Sequence, residues 1–139
     1  MKDRRRGQAL VEFVLVAPIF FLIMFAIIDF GRYVYYVQTI NNAAREGARY
    51  AIVHGSDSLA PTGPPDDSSG ADVKSTVRRY LVGVVGDSSV LTITPSWDPN
   101  NRRESTVTVN VVYQFHSVIP IVPIPPIQIN GASTLVINN

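Results

Sequence analysis

The chain has 139 residues, and its twelve Lys and Arg against eleven Asp and Glu leave a formal charge of only +1, too little to hold a polyanion by bulk electrostatics. It contains no cysteine, which excludes a disulfide scaffold and a thiolate site. Although 46% of it is hydrophobic, a chain this short has no core large enough to surround a helix that is apolar on every side.

Such a helix opens the chain. A basic head (Lys2, Arg4, Arg5, Arg6) meets Gly7, and an apolar run with Glu12 as its only charge extends from Ala9 to Ile28, where Asp29 ends it. A bilayer core about 30 Å thick takes about 20 such residues at roughly 1.5 Å each, so residues 8–29 are predicted to be a transmembrane helix behind a leader of residues 1–7. Basic residues stay inside: four precede the span and Arg32 alone follows it closely, which places the N-terminus in the cytoplasm and the remainder outside. Tyr33, Tyr35 and Tyr36 are expected in the outer headgroup layer. A secretory signal has a shorter apolar region followed by small residues; here the small residue, Gly7, stands before the run.

Glu12 has two readings. Near a helix end it reaches into the headgroups beside Arg6; deeper in lipid a carboxylate is costly and takes a partner. Pro18 removes a backbone hydrogen bond and predicts a kink or local opening over 14–18. Beyond the span, residues 30–54 continue as an extracytoplasmic helix with a buried stripe of Val34, Val37, Ile40, Ala44, Ala48 and Ala51 or Ile52. Ala43, Gly47 and Ala51 form a row of small residues that lets another backbone approach closely. Gln38, Asn42, Arg45 and Arg49 fall on solvated faces.

Gly7-Gln-Ala-Leu-Val-Glu12 resembles a type IV prepilin processing site, and the wider run to NNAAREGARYA is similar to the TadE family, pilin-like components of tight-adherence (Flp) pilus systems. The resemblance implies that a prepilin peptidase cuts after Gly7, leaving Gln8 as the new N-terminus. It implies that Glu12 pairs with that amino group on a neighbouring subunit and sets the register of packed helices. It also implies that the helix bends or melts near Pro18 during polymerisation. The partners would be membrane lipid, the peptidase, other pilin-like subunits and the assembly machinery. Major Flp pilins are much smaller, so the resemblance favours a minor subunit.

Residues 55–71 are rich in Gly, Pro, Ser and Asp and read as a flexible loop. Asp57, Asp66, Asp67 and Asp72 lack the alternating spacing of a calcium loop. Asp72 is the expected N-cap of a second helix with Val73, Val77, Leu81 and Val84 on one side, ended by Gly83 and Gly86. Three strands follow. Val90–Trp97 alternates and leads through a turn at Asp98–Asn101 to Ser105–Phe115, whose apolar set is Val107, Val109, Val111, Tyr113 and Phe115. Ile127–Ile137 carries Gly131 at its middle, where a bulge or register change is expected. The fold class is α+β and pilin-like: one long helix packed on a small antiparallel sheet, with the extra helix beside it, in a domain spanning 72–139 and the outer half of the first helix.

The segment HSVIPIVPIPP at 116–126 is too apolar for a free loop. Either it packs on its own domain, or Ile119, Ile121 and Ile124 touch the bilayer or a partner subunit.

No catalytic, metal or cofactor site emerges. His54 and His116 lack ligand-spaced carboxylates, and no nucleophile elbow or phosphate loop is present. Neither nucleic acid nor a small-molecule substrate is implied. Two functional classes remain: a pilin-like structural or assembly subunit, and a single-pass anchored extracytoplasmic binding domain with an uncleaved anchor. The amphipathic continuation of the helix favours the first, because a mere anchor is more often followed by a flexible linker.

Overall fold

The computed structural model describes residues 2–64, 69–84, 90–118 and 125–138, with side chains from residue 7 onward. Helix α1, Lys2–Val53, is a single run of 52 residues that passes Pro18 without interruption; at 1.5 Å per residue it is about 78 Å long. Its two halves have opposite fates. Leu10, Phe13, Leu15, Ile19 and Ile27 all stand bare. The most apolar eighteen-residue window has a mean hydropathy of 2.8, none of it is buried, and the helix is long and apolar enough to cross a membrane.

From Asp29 on, α1 buries one face. Tyr36, Ile40, Ala43, Ala44, Ala48 and Ala51 are buried, three or four residues apart as a helical stripe requires. Val34, expected in this stripe, is exposed instead; Tyr33 and Tyr36 take the place assigned to it. Nor are all three tyrosines left for the headgroups. Tyr33 meets Phe115 edge-on at 5.7 Å, Tyr36 meets Tyr113 at 5.4 Å and Phe115 at 5.6 Å, and the Tyr35 hydroxyl donates to the Val82 carbonyl at 2.7 Å. Edge-to-face rings bury large apolar areas, so these tyrosines close the lower end of the core.

Three strands, β1 (Leu91–Asp98), β2 (Thr106–Phe115) and β3 (Ile127–Val136), form an antiparallel sheet in the order β1-β2-β3. Alternation in β2 buries Val107, Val109, Val111, Tyr113 and Phe115 against the helices. No bulge interrupts β3: its ladder with β2 runs in one register from Thr106↔Val136 to Phe115↔Ile127, with Val111 opposite Gly131. Gly131 serves close approach instead. A Cβ there would lie 2.8 Å from Ile40 Cγ2 and 3.1 Å from the Asn41 nitrogen, so the missing side chain lets α1 settle on the sheet. Between β1 and β2 the hydrogen-bonded turn is at Arg102–Ser105 (3.1 Å), a few residues beyond the expected one.

Helix α2, Ala71–Tyr80, buries Val73, Thr76 and Val77, with Leu81 just past its end. Its N-cap is Gly70, not Asp72. The reason is crowding: a Cβ at residue 70, which has φ 59°, would stand 2.5 Å from Pro95 Cγ and 2.8 Å from Trp97 Cη2. Asp72 sits in the first turn, where its charge suits the positive end of the helix dipole. The helix stops at Tyr80, short of Gly83; Gly86 lies outside the described residues. The loop after α1 is tied down over its described part. Ser56 N–H donates to the Asn101 carbonyl (2.8 Å), Thr62 N–H to the His54 carbonyl (2.8 Å), and the Asn101 side-chain amide to the Thr62 carbonyl (2.6 Å). Asp66 and Asp67 lie outside the described residues.

Candidate functional site

The described residues singled out by sequence fall in two places, and the structure adds a third. Gly7, Gln8, Glu12 and Pro18 all lie on the bare half of α1, remote from the domain. A Cβ at Gly7 would meet nothing within 4 Å. Gln8, Glu12 and Pro18 are exposed, and among the described residues Glu12 has no ion pair. Gln8 and Glu12 are one helical turn apart and so share a face.

Ala43, Gly47 and Ala51 are buried. Their row is occupied within the molecule: a Cβ at Gly47 would stand 2.4 Å from Val77 Cγ2 of α2 and 3.4 Å from Val109 Cγ1. Small residues here let α2 and the sheet reach the helix. Ile119, Ile121 and Ile124 lie outside the described residues.

The third place has no counterpart among the sequence-derived sites. Where the apolar run ends, Asp29 is buried and its carboxylate gathers the start of the segment after β2. The Ser117 hydroxyl donates to Oδ2, the Val118 N–H reaches Oδ1 at 3.2 Å and Oδ2 at 3.0 Å, and Arg32 Nη1 donates to Oδ1 at 2.8 Å. The Arg32 guanidinium lies 5.3 Å from the Phe115 ring centre and 5.7 Å from that of Tyr36, close enough for cation–π attraction. Burial pushes the Tyr113 phenol above its usual range. Beside it is a cavity of about 350 Å³ lined by Phe30, Tyr33, Phe115 and Ile127 together with Asp29 and Ser117. The carboxylate thus pins β2's exit to the helix at the level where the helix leaves its apolar stretch. The available signal was an Asp closing a membrane-length run with an Arg three residues on, the spacing of a helical ion pair.

The histidines are engaged in local contacts. His54 stacks on Tyr50 at 4.0 Å and its Nδ1 donates to the Tyr50 carbonyl at 2.9 Å; His116 Nδ1 donates to the Gln114 carbonyl at 3.1 Å. Among the described residues no cluster of three or more His, Asp or Glu is placed to hold a metal ion.

Residues 7–49 match the model of a family described as TadE-like protein. The matched stretch begins at Gly7 and covers α1 from there to four residues short of its end, both the bare half and most of the half built into the domain. No curated protein and no solved structure matches the chain.

Proposed function

We propose that this chain, with its TadE-like helix, is a non-enzymatic minor pilin-like subunit of a tight-adherence pilus. In this reading its N-terminus is cytoplasmic, its domain is extracytoplasmic, and it is inserted in the membrane by residues 8–29. The observation that carries it is the uninterrupted helix Lys2–Val53, bare and apolar to Ile28 and the spine of an α+β domain from Asp29 on. An element shared by lipid and domain transmits position from one to the other, which a tether joined by a flexible linker does not.

A prepilin peptidase removes residues 1–7. The new amino group at Gln8 then meets Glu12 of an adjacent copy or a related subunit, neutralising a carboxylate that is otherwise costly in lipid. The bare apolar surface, with Leu10 and Phe13 on one side and Leu15 and Ile19 on the other, supplies the packing surface, first for lipid and then for neighbouring helices. Pro18 supplies a weak point in the hydrogen-bond ladder where the rod can open during that exchange.

The test is to produce the full chain in cells with and without the prepilin peptidase of a tight-adherence system and to sequence its N-terminus. A start at Gln8 that depends on the peptidase, with co-purification of other pilus components, is expected. Retention of Met1 with an active peptidase present would overturn the proposal and favour the plain anchor.

A further inference from the structure

The end of the domain from which the apolar rod leaves is apolar on its outside as well. Besides α1, three chain segments reach it, and each turns a large apolar residue outward there. The Val118 N–H is bonded to the Asp29 carboxylate, and Val118 itself is 56% exposed. Ile127, the first residue of β3, lines the cavity that Ala26 and Phe30 also line; it is 42% exposed, and Phe30 is 69% exposed. The third segment follows α2, where the Val82 carbonyl accepts from the Tyr35 hydroxyl. A helical side chain covers the turn N-terminal to its own Cα, so Val82, 71% exposed, stands a turn below Tyr35, near Gly31. Asp29 and Tyr35 are six residues apart and so point about 120° apart around the helix. The outward apolar residues therefore flank the rod on two sides.

Charge is sorted along the same axis. Residues 80–84, 115–118 and 125–129 contain no Asp, Glu, Lys or Arg, and the Asp29–Arg32 pair beside them carries no net charge. At the opposite end, where Ser56 N–H meets the Asn101 carbonyl, Asp57, Asp98, Arg102, Arg103 and Glu104 are all exposed. A contiguous exposed apolar patch marks a protein or a membrane contact, and here position selects the membrane. Ala26 and Phe30 belong both to the patch and to the bare apolar face of α1, so the two surfaces are continuous. With residues 8–29 in lipid, Val118 and Ile127 stand beside the last turn of the span rather than clear of the bilayer. We propose that the rod-side end of the domain is seated in the outer headgroup layer, with Phe30, Val82, Val118 and Ile127 forming a lipid-contacting collar around the exit of the rod. The collar rests on the membrane reading of residues 8–29 and adds a second contact to it. Apolar residues on two sides of the rod resist tilting, so the domain stands upright on the membrane and points its charged end away from it.

The chain has no cysteine, so single-cysteine variants of the full chain each carry one nitroxide. Reconstituted in vesicles of phosphatidylethanolamine and phosphatidylglycerol at high lipid excess, each label reports its depth through accessibility to oxygen and to a water-soluble nickel chelate. Labels at Val82→Cys, Val118→Cys and Ile127→Cys should lose chelate access and keep oxygen access, as a label at Ile19→Cys in the rod does. Leu59→Cys, at a fully exposed apolar residue of the far end, should keep chelate access. The collar residues are exposed, so the core survives their replacement; Phe30→Cys stands in for any variant that does not fold. Chelate access at the collar equal to that at Leu59→Cys, with Ile19→Cys shielded, would overturn the collar and leave the span intact. Chelate access at Ile19→Cys as well would remove the span and the collar together. Shielding on the Val118 and Ile127 side alone would also overturn the proposal, as would shielding lost on further dilution with lipid, which would mean that a second copy covers the patch.

Discussion

Replacing Asp29 by Ala removes the acceptor for three donors: the Ser117 hydroxyl, the Val118 N–H and Arg32 Nη1. Hydrogen bonds to a charged group contribute about 1.5–3 kcal/mol each, so a naive sum is several times larger than the effect to expect. Asp29 is covered by its immediate neighbours but lies under only a thin layer of protein. The Arg32 side chain is about a third exposed (34%), and Val118 is exposed. Released donors therefore recover water, and solvent screens the ion pair toward the value of a surface pair, about 0–1 kcal/mol. A net loss of about 2 kcal/mol follows, concentrated in the Ser117 and Val118 bonds. For a domain near 100 residues that lowers the melting midpoint by about 8 °C. The assay is near-ultraviolet circular dichroism of the full chain in micelles, where Tyr33, Tyr36 and Tyr113 report on this corner. Asp29→Asn keeps one acceptor and should lose about half as much. A double-mutant cycle with Ser117→Ala should show coupling, because the two groups touch. If Asp29→Ala melts within 1 °C of the parent and shows no coupling to Ser117, the clamp contributes nothing and the reasoning fails.

Two glycines separate close approach from helix propensity. Gly131→Ala drives a methyl into Ile40 and the backbone at Asn41 and should destabilise the domain by about 1–3 kcal/mol. Gly31→Ala, whose Cβ would meet nothing within 4 Å, should be neutral or stabilise by up to about 1 kcal/mol; thermal melts of both variants decide it. Glu12→Gln lies on the exposed rod and should leave the melting midpoint, membrane insertion and leader removal unchanged while reducing co-purification with other pilus subunits. Normal incorporation of that variant would remove the register role. Gly7→Val should leave the leader attached, read by N-terminal sequencing, without altering the fold.

Much of the fold is legible because its signals are local. The run from Ala9 to Ile28 identifies itself by length, and β2 by strict alternation over Val107, Val109, Val111, Tyr113 and Phe115. What is misread depends on partners distant in sequence. A glycine inside a strand is compatible with a bulge or with a close approach, and only the arrival of Ile40 and Asn41 over Gly131 decides between them. Asp72 is a good capping residue by type, yet Pro95 and Trp97 crowd the position before the helix so closely that glycine takes the cap. Val34 and Tyr36 are both compatible with a stripe of period 3.6; the rings at Tyr113 and Phe115 select the tyrosine.

Asp29 shows the same limit at the site. Read locally, it ends an apolar run; its two partners beyond α1 lie 88 and 89 residues away. Their consequence is mechanical. Without them the sheet would be held to α1 only from Tyr33 upward, and the segment after Phe115 would hang free at the point where the helix leaves its bare stretch. With the carboxylate on Ser117 and Val118, and Arg32 over Phe115, the lower end of the sheet is fixed to the same turns of helix that end the apolar run. A rotation of the rod then turns the domain with it rather than twisting the junction. In the proposed assembly, where helices pack side by side, the orientation of each domain would follow from the register of its rod, so Asp29 and Glu12 would act on one variable from the two ends of the apolar segment.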